Sequence, residues 1–164
     1  MLRLILMRHA KSDWGHKGLS DHDRPLNARG TTSAKLLGDW LRAKGYLPDQ
    51  VLSSSAERTG QTLLGLGFDQ PMQTTFTRAL YLADADGMLR ILQAATGTCV
   101  LMIGHNPGIS ELAENLLNNS VSHDRFFDYP TGATLVADFD AQGWNDIGWH
   151  QGQPIDFIIP RELP

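Results

Sequence analysis

Two histidines and two arginines in this chain stand where apolar runs stop. Arg8-His9-Ala10 closes the aliphatic run Leu2–Met7, Arg58 follows Ser53-Ser54-Ser55-Ala56-Glu57, and His105 lies between Gly104 and Asn106-Pro107 after Thr98–Ile103. Phosphoryl transfer calls for such a set, because it needs an in-line nucleophile and fixed positive charge around three equatorial oxygens. A neutral imidazole is a competent nucleophile near neutral pH, and guanidinium forks match phosphate oxygens in charge and geometry. On this reading His9 accepts the phosphoryl group, Arg8 and Arg58 grip its oxygens, and His105 donates to another. Asn106 and the free amides opening the helix behind it add to the anion site. The surrounding positive charge keeps His9 neutral.

Taken singly, each residue has an ordinary reading. His9 could be a hydrogen-bonded rim residue, His105 the residue before a helix, and Arg58 a solvated side chain in a first helical turn, although the helix dipole disfavours a cation there. Their convergence on one edge of a sheet is what favours chemistry. A metal site would be the competing use of histidine, but the companions here are arginines, and no His-x-x-x-His or Glu-x-x-His spacing occurs. His16, His22, His150 and the His123-Asp124 pair read as surface residues. Trp14, Trp144 and Trp149 read as packing, since no basic stripe surrounds them to make a nucleic-acid platform.

For that convergence the elements must alternate. Leu2–Met7 is continuously aliphatic, as a strand buried on both faces requires. Lys11–Leu26 is polar and reads as a loop above the sheet. Asn27 caps a helix whose Ala34, Leu37, Trp40 and Leu41 share one face, with Gly45 just past its end. Gln50–Ser53 is a strand, and Ser54 with Glu57 has capping-box spacing for a helix running to about Gly65. Met72–Thr77 is expected as a strand, Ala85–Ala95 as a helix, and Thr98–Ile103 as a buried strand. Asn106 is expected to cap a helix with Pro107 at its first position. Ala133–Asp140 and Ile155–Ile159 complete the strands. The order implies an α/β fold, three-layer α/β/α with a mostly parallel sheet, in one domain over residues 1–164. Ligands of such sheets bind beyond the carboxyl ends of the strands.

Composition bounds the partners. Fourteen Lys and Arg against eighteen Asp and Glu give a formal net charge of -4, so the molecule as a whole repels phosphate and nucleic acid, and attraction must be local. The lone cysteine, Cys99, excludes an intrachain disulfide and reads as an inert strand residue. No segment approaches the roughly 18 apolar residues of a membrane span. A cytoplasmic protein without membrane or nucleic-acid partners is expected.

The quoted segments resemble the histidine phosphatase superfamily, whose fold is phosphoglycerate-mutase-like. Leu4-Ile5-Leu6-Met7-Arg8-His9-Ala10-Lys11-Ser12 is similar to its hallmark, with Ala10 where the family usually has Gly. That variant, followed by Trp14, resembles the small SixA-type phosphohistidine phosphatases. Asp23-Arg24-Pro25-Leu26-Asn27-Ala28-Arg29-Gly30, Ser53–Thr62, Leu80–Asp84 and Gly104–Gly108 continue the likeness in family order. The resemblance implies a phospho-His9 intermediate, a pocket of Arg8, Arg58 and His105, and no metal or organic cofactor. It also implies a phosphorylated protein of the histidine-phosphotransfer type as substrate, with a small phosphoester as the alternative. A non-catalytic phosphate-binding module is a further alternative, against which His9 itself argues. Mutase-like members carry an acid glutamate on a lid insertion that is missing here. Asp23, Asp84 and Asp86 are the nearest candidates for proton donor.

Overall fold

The computed structural model describes residues 1–164, and its centre is the strand that the aliphatic run forecast. This strand, β1 (Leu2–Arg8), is followed by helix α1 (Ala28–Lys44), β2 (Gln50–Ser54), α2 (Glu57–Leu66), β3 (Gln73–Thr77) and α3 (Ala85–Gln93). Then come β4 (Cys99–Gly104), α4 (Gly108–Leu116), β5 (Thr134–Phe139) and β6 (Gln153–Ile158). The strands form one sheet in the order β3-β2-β4-β1-β5-β6. β3, β2, β4 and β1 are mutually parallel, β5 runs antiparallel to β1, and β6 antiparallel to β5. Only β5 therefore opposes the other five, and the sheet is mostly parallel, as expected.

Successive side chains of a strand point to opposite faces, and both faces of β1 are covered. Leu4 and Leu6 pack into one core with Leu89 and Leu92 of α3 and Leu112 and Leu116 of α4. Ile5 and Met7 pack into the other with Leu37 and Leu41 of α1 and Leu66 of α2. This two-sided burial is why the run had to be aliphatic throughout, each fully buried side chain stabilising the fold by roughly 1.5–3 kcal/mol.

Helix ends follow local chemistry, with two departures from expectation. Asn27 caps α1, its side chain accepting from the Gly30 amide at 2.8 Å, and Gly45 closes that helix at φ 72°. Ser54 and Glu57 form no capping box: Ala56 occupies the cap position, and the Ser54 hydroxyl accepts from the Ala56 amide while facing His105. α2 ends at Leu66, about where expected, and closes at Gly67, φ 69°. Asn106 does not cap α4. Pro107 holds the cap position, and the Asn106 amide is turned to the carbonyls of Asp128 and Tyr129 at 2.9 and 3.2 Å.

Two glycines permit approaches that bring the site segments together. A Cβ on Gly30 would lie 2.0 Å from the Lys11 carbonyl oxygen, and one on Gly108 would lie 1.9 Å from that of Ala83. The first lets α1 start against the chain leaving β1; the second seats α4 behind His105. Trp144 is buried in the core, as expected, but Trp14 is 75% exposed and lies over the Arg24 guanidinium at 3.5 Å rather than packing inside. His22 and His123 are half-buried rather than free at the surface, bonded to Ser55 at 2.8 Å and to Glu162 at 3.1 Å. Cys99 is half-buried at the start of β4, and burial pushes its thiol up to about 11, which leaves it unreactive. No helix is long and apolar enough to cross a membrane.

Candidate active site

The carboxyl ends of β1, β2 and β4 open on the same edge of the sheet, and Arg8, His9, Arg58, His105 and Asn106 all line one cavity of about 310 Å³ there. His9 is held by the sheet itself. Its amide donates to the Gly104 carbonyl at 3.2 Å, and its carbonyl accepts from the Gly132 amide at 2.9 Å. The next residue ties this edge to α2: the Ala10 amide donates to Thr62 Oγ1 at 3.0 Å, and that hydroxyl donates to the Arg58 carbonyl at 2.7 Å.

Hydrogen bonding sets the state of each imidazole. His9 Nδ1 lies 2.7 Å from the Ala10 carbonyl, which can only accept, so Nδ1 carries the proton. Nε2 makes no hydrogen bond within the protein. Burial first, and then the neighbouring His105, Arg8 and Arg58, outweigh the Ala10 bond and lower His9 to about 3. A neutral ring with Nδ1 protonated has its lone pair on Nε2, which is what a nucleophile needs. His105 holds the opposite tautomer. Arg58 Nη2 donates to its Nδ1 at 3.3 Å, so the proton sits on Nε2 and is donated to Ser54 Oγ at 2.8 Å. Burial, then Arg58, lowers His105 to about 3 as well. The two ring centroids are 5.3 Å apart.

Both arginines are poised for an anion. Arg8 donates from Nη1 to the Tyr129 carbonyl at 3.1 Å, and Tyr129 is fixed by its hydroxyl bonds to the Leu6 carbonyl and Leu135 amide. Arg58 is only 2% exposed. The Nε of each is buried with no acceptor in the protein, and an unpaired buried donor on a cation is costly unless an anion satisfies it.

Sequence reasoning missed Asp21. Arg58 donates from Nη1 to the Asp21 carbonyl at 2.7 Å and from Nη2 to its carboxylate at 3.1 Å. Arg24 Nε donates to the same carboxylate at 3.1 Å, and the Tyr81 hydroxyl donates to it too. These bonds outweigh the cost of partial burial and hold Asp21 well below the usual carboxylate range. In sequence Asp21 is one acid among several in a polar loop, and only its partners single it out. Ser54 was visible but assigned to a helix cap.

The three acids considered as proton donors lie elsewhere. Asp84 caps α3, accepting from the Gly87 amide at 2.8 Å, and it lines a different cavity with Asp86. Asp23 is exposed, its carboxylate 3.5 Å from His22 Nδ1. The Asn106 side chain borders the pocket, but its amide donors are spent on the backbone carbonyls named above. No three His, Cys, Asp or Glu side chains come together as a metal-holding set.

Comparison with known proteins adds three kinds of likeness. The family model described as histidine phosphatase superfamily (branch 1) matches residues 4–81. An uncharacterised protein of Mycobacterium leprae is 32% identical over 94% of this chain and 100% of its own length, and one of Mycobacterium tuberculosis is 35% identical over the same shares. Among solved structures, a SixA from Nakamurella multipartitia described as a putative phosphohistidine phosphatase has TM-score 0.85 at 28% identity, covering 97% of this chain and 96% of that one. Its counterpart from Agrobacterium tumefaciens has TM-score 0.80 at 28% identity, covering 97% and 98%.

Proposed function

The chain belongs to the histidine phosphatase superfamily and is a phosphatase, and from that premise we propose that it hydrolyses phosphohistidine on a protein through a phospho-His9 intermediate. His9 Nε2 attacks phosphorus, and the bond from phosphorus to the substrate imidazole breaks. Phospho-His9 keeps its Nδ1 proton on the Ala10 carbonyl, so the ring is cationic and leaves well. Water then attacks phosphorus, its proton goes to a phosphate oxygen, and neutral His9 returns. The guanidinium groups of Arg8 and Arg58 supply the positive charge, and we read the reaction as metal-independent on that ground.

The observation that carries the substrate class is the state of Asp21. It is the acidic residue lining the pocket, and three donors hold it ionised, so it has no proton to give. A phosphoester needs its alkoxide protonated, help worth roughly 10²–10⁴-fold. A protonated phosphohistidine releases neutral imidazole and needs much less. The test offers the enzyme a phosphorylated histidine-phosphotransfer domain beside a panel of small phosphoesters. A higher kcat/KM on phosphohistidine is expected, with a loss of about a thousandfold or more in His9→Ala. Preference for a small ester overturns the substrate class, and equal rates in wild type and His9→Ala overturn the intermediate.

A further inference from the structure

Beside the phosphoryl pocket lies a second cavity of about 350 Å³ that the chemistry at His9 does not use. Its walls carry five cations, Arg8, Lys11, Arg29, Arg125 and Arg161, against one anion, Asp128. Arg125 is already paired with Asp128 at 2.9 Å. The other four have no carboxylate within 4.0 Å. In a chain of net charge -4 this is a strong local reversal of sign, drawn from four separated segments. Like charges gathered without partners repel one another, and a bound anion relieves that repulsion.

The groove is continuous with the pocket. Arg8, Lys11 and Thr131 line both cavities, and the buried Nε of Arg8 lacks an acceptor. An anionic group seated in the groove is therefore next to a phosphoryl group seated at His9. We propose that this groove is a second anion subsite, holding a carboxylate or phosphate group carried by the same substrate molecule as the scissile phosphoryl group. The proposal rests on the phosphatase reading but not on phosphohistidine. Acidic side chains around a phosphorylated protein residue and a second acid group on a small ester are the two sources of that one chemistry.

The test compares wild type with the double variant Arg29→Ala/Arg161→Ala, both exposed and both outside the His9 machinery. The small-molecule arm uses phenyl phosphate and 4-carboxyphenyl phosphate. The protein arm uses a phosphorylated histidine-phosphotransfer domain. Removing two exposed guanidinium partners should raise KM for an acid-bearing substrate about three- to tenfold. The expected signature is an unchanged kcat, an unchanged KM for phenyl phosphate, an effect that fades with added salt, and restoration by Arg29→Lys/Arg161→Lys. A rise with 4-carboxyphenyl phosphate assigns the anion to a small substrate, and a rise confined to the protein arm assigns it to acidic side chains. Unchanged KM in both arms, or an equal rise for phenyl phosphate, overturns the subsite. Dissociation constants for the two esters, measured on His9→Ala with and without the Arg29 and Arg161 changes, separate binding from turnover. A carboxylate effect there, without turnover by wild type, sinks the phosphatase reading and leaves the subsite standing.

Discussion

Arg58 and Asp21 are joined twice, through Arg58 Nη1 to the Asp21 carbonyl at 2.7 Å and through Nη2 to its carboxylate at 3.1 Å. The pairing fixes a buried guanidinium at the pocket wall and occupies two of its donors. Asp21 is thus a positioning residue. Asp21→Ala should lower kcat/KM about tenfold, a charge-assisted bond to a half-exposed carboxylate being worth less than a buried one. The same variant should weaken inhibition by inorganic phosphate in parallel, which a purely structural defect corrected for folded fraction would not do. Asp21→Asn, which keeps an acceptor for Arg58, should recover part of the loss.

The depressed His9 predicts the pH profile. With a free-enzyme value of about 3, the nucleophile is already neutral at every pH above that. The acid limb of kcat/KM, corrected for the substrate's own phosphate ionisation, should therefore fall near pH 3 and not near the ordinary histidine value of about 6.5. A limb at the ordinary value would show that His9 is protonated in the resting enzyme.

Ser54 satisfies the second imidazole. It accepts the Nε2 proton of His105 at 2.8 Å while Arg58 claims Nδ1. Ser54→Ala removes that acceptor, and a buried N–H left without a partner costs about 1–3 kcal/mol. Because Arg58 still donates to Nδ1, nitrogen chemical shifts of His105 should keep the Nε2–H tautomer in Ser54→Ala, while the urea midpoint falls by an amount matching an unpaired buried N–H. A switch to the Nδ1–H tautomer would show that Ser54, and not Arg58, sets the proton.

Stability should also depend on pH. The folded values of His9 and His105 are both lowered from 6.5 to about 3. Between those limits the unfolded chain binds protons that the folded chain refuses, so stability rises with pH across the window and is lost as pH falls. Urea midpoints measured between about pH 7 and about pH 4 should decline steeply in wild type and less steeply in His105→Gln.

Much of this was legible in the amino-acid order, for physical reasons that differ by element. β1 announced itself because both its faces are covered, and α1 because Asn27 and Gly45 mark its ends. Arg8, His9, Arg58 and His105 could be placed on one edge since parallel strands deliver their carboxyl ends together. Asp21 was not legible, because its partners Arg24, Arg58 and Tyr81 come from three segments that only the folded loop brings together. Ser54 and Asn106 were read as caps from local spacing, yet tertiary partners, His105 for one and the Asp128 and Tyr129 carbonyls for the other, claimed their side chains. Trp14 followed composition in looking like packing, and the buried Arg24 guanidinium that it covers could not be foreseen from the loop.

The backbone of His9, one residue past the end of β1, is tied to Gly104 and Gly132 by hydrogen bonds, which anchors the nucleophile at the edge of the central sheet. Its amide proton should therefore exchange with solvent more slowly than those of the polar loop that follows it. The entropy of fixing the nucleophile is spent during folding, so an arriving phosphoryl group meets a target that needs no further ordering.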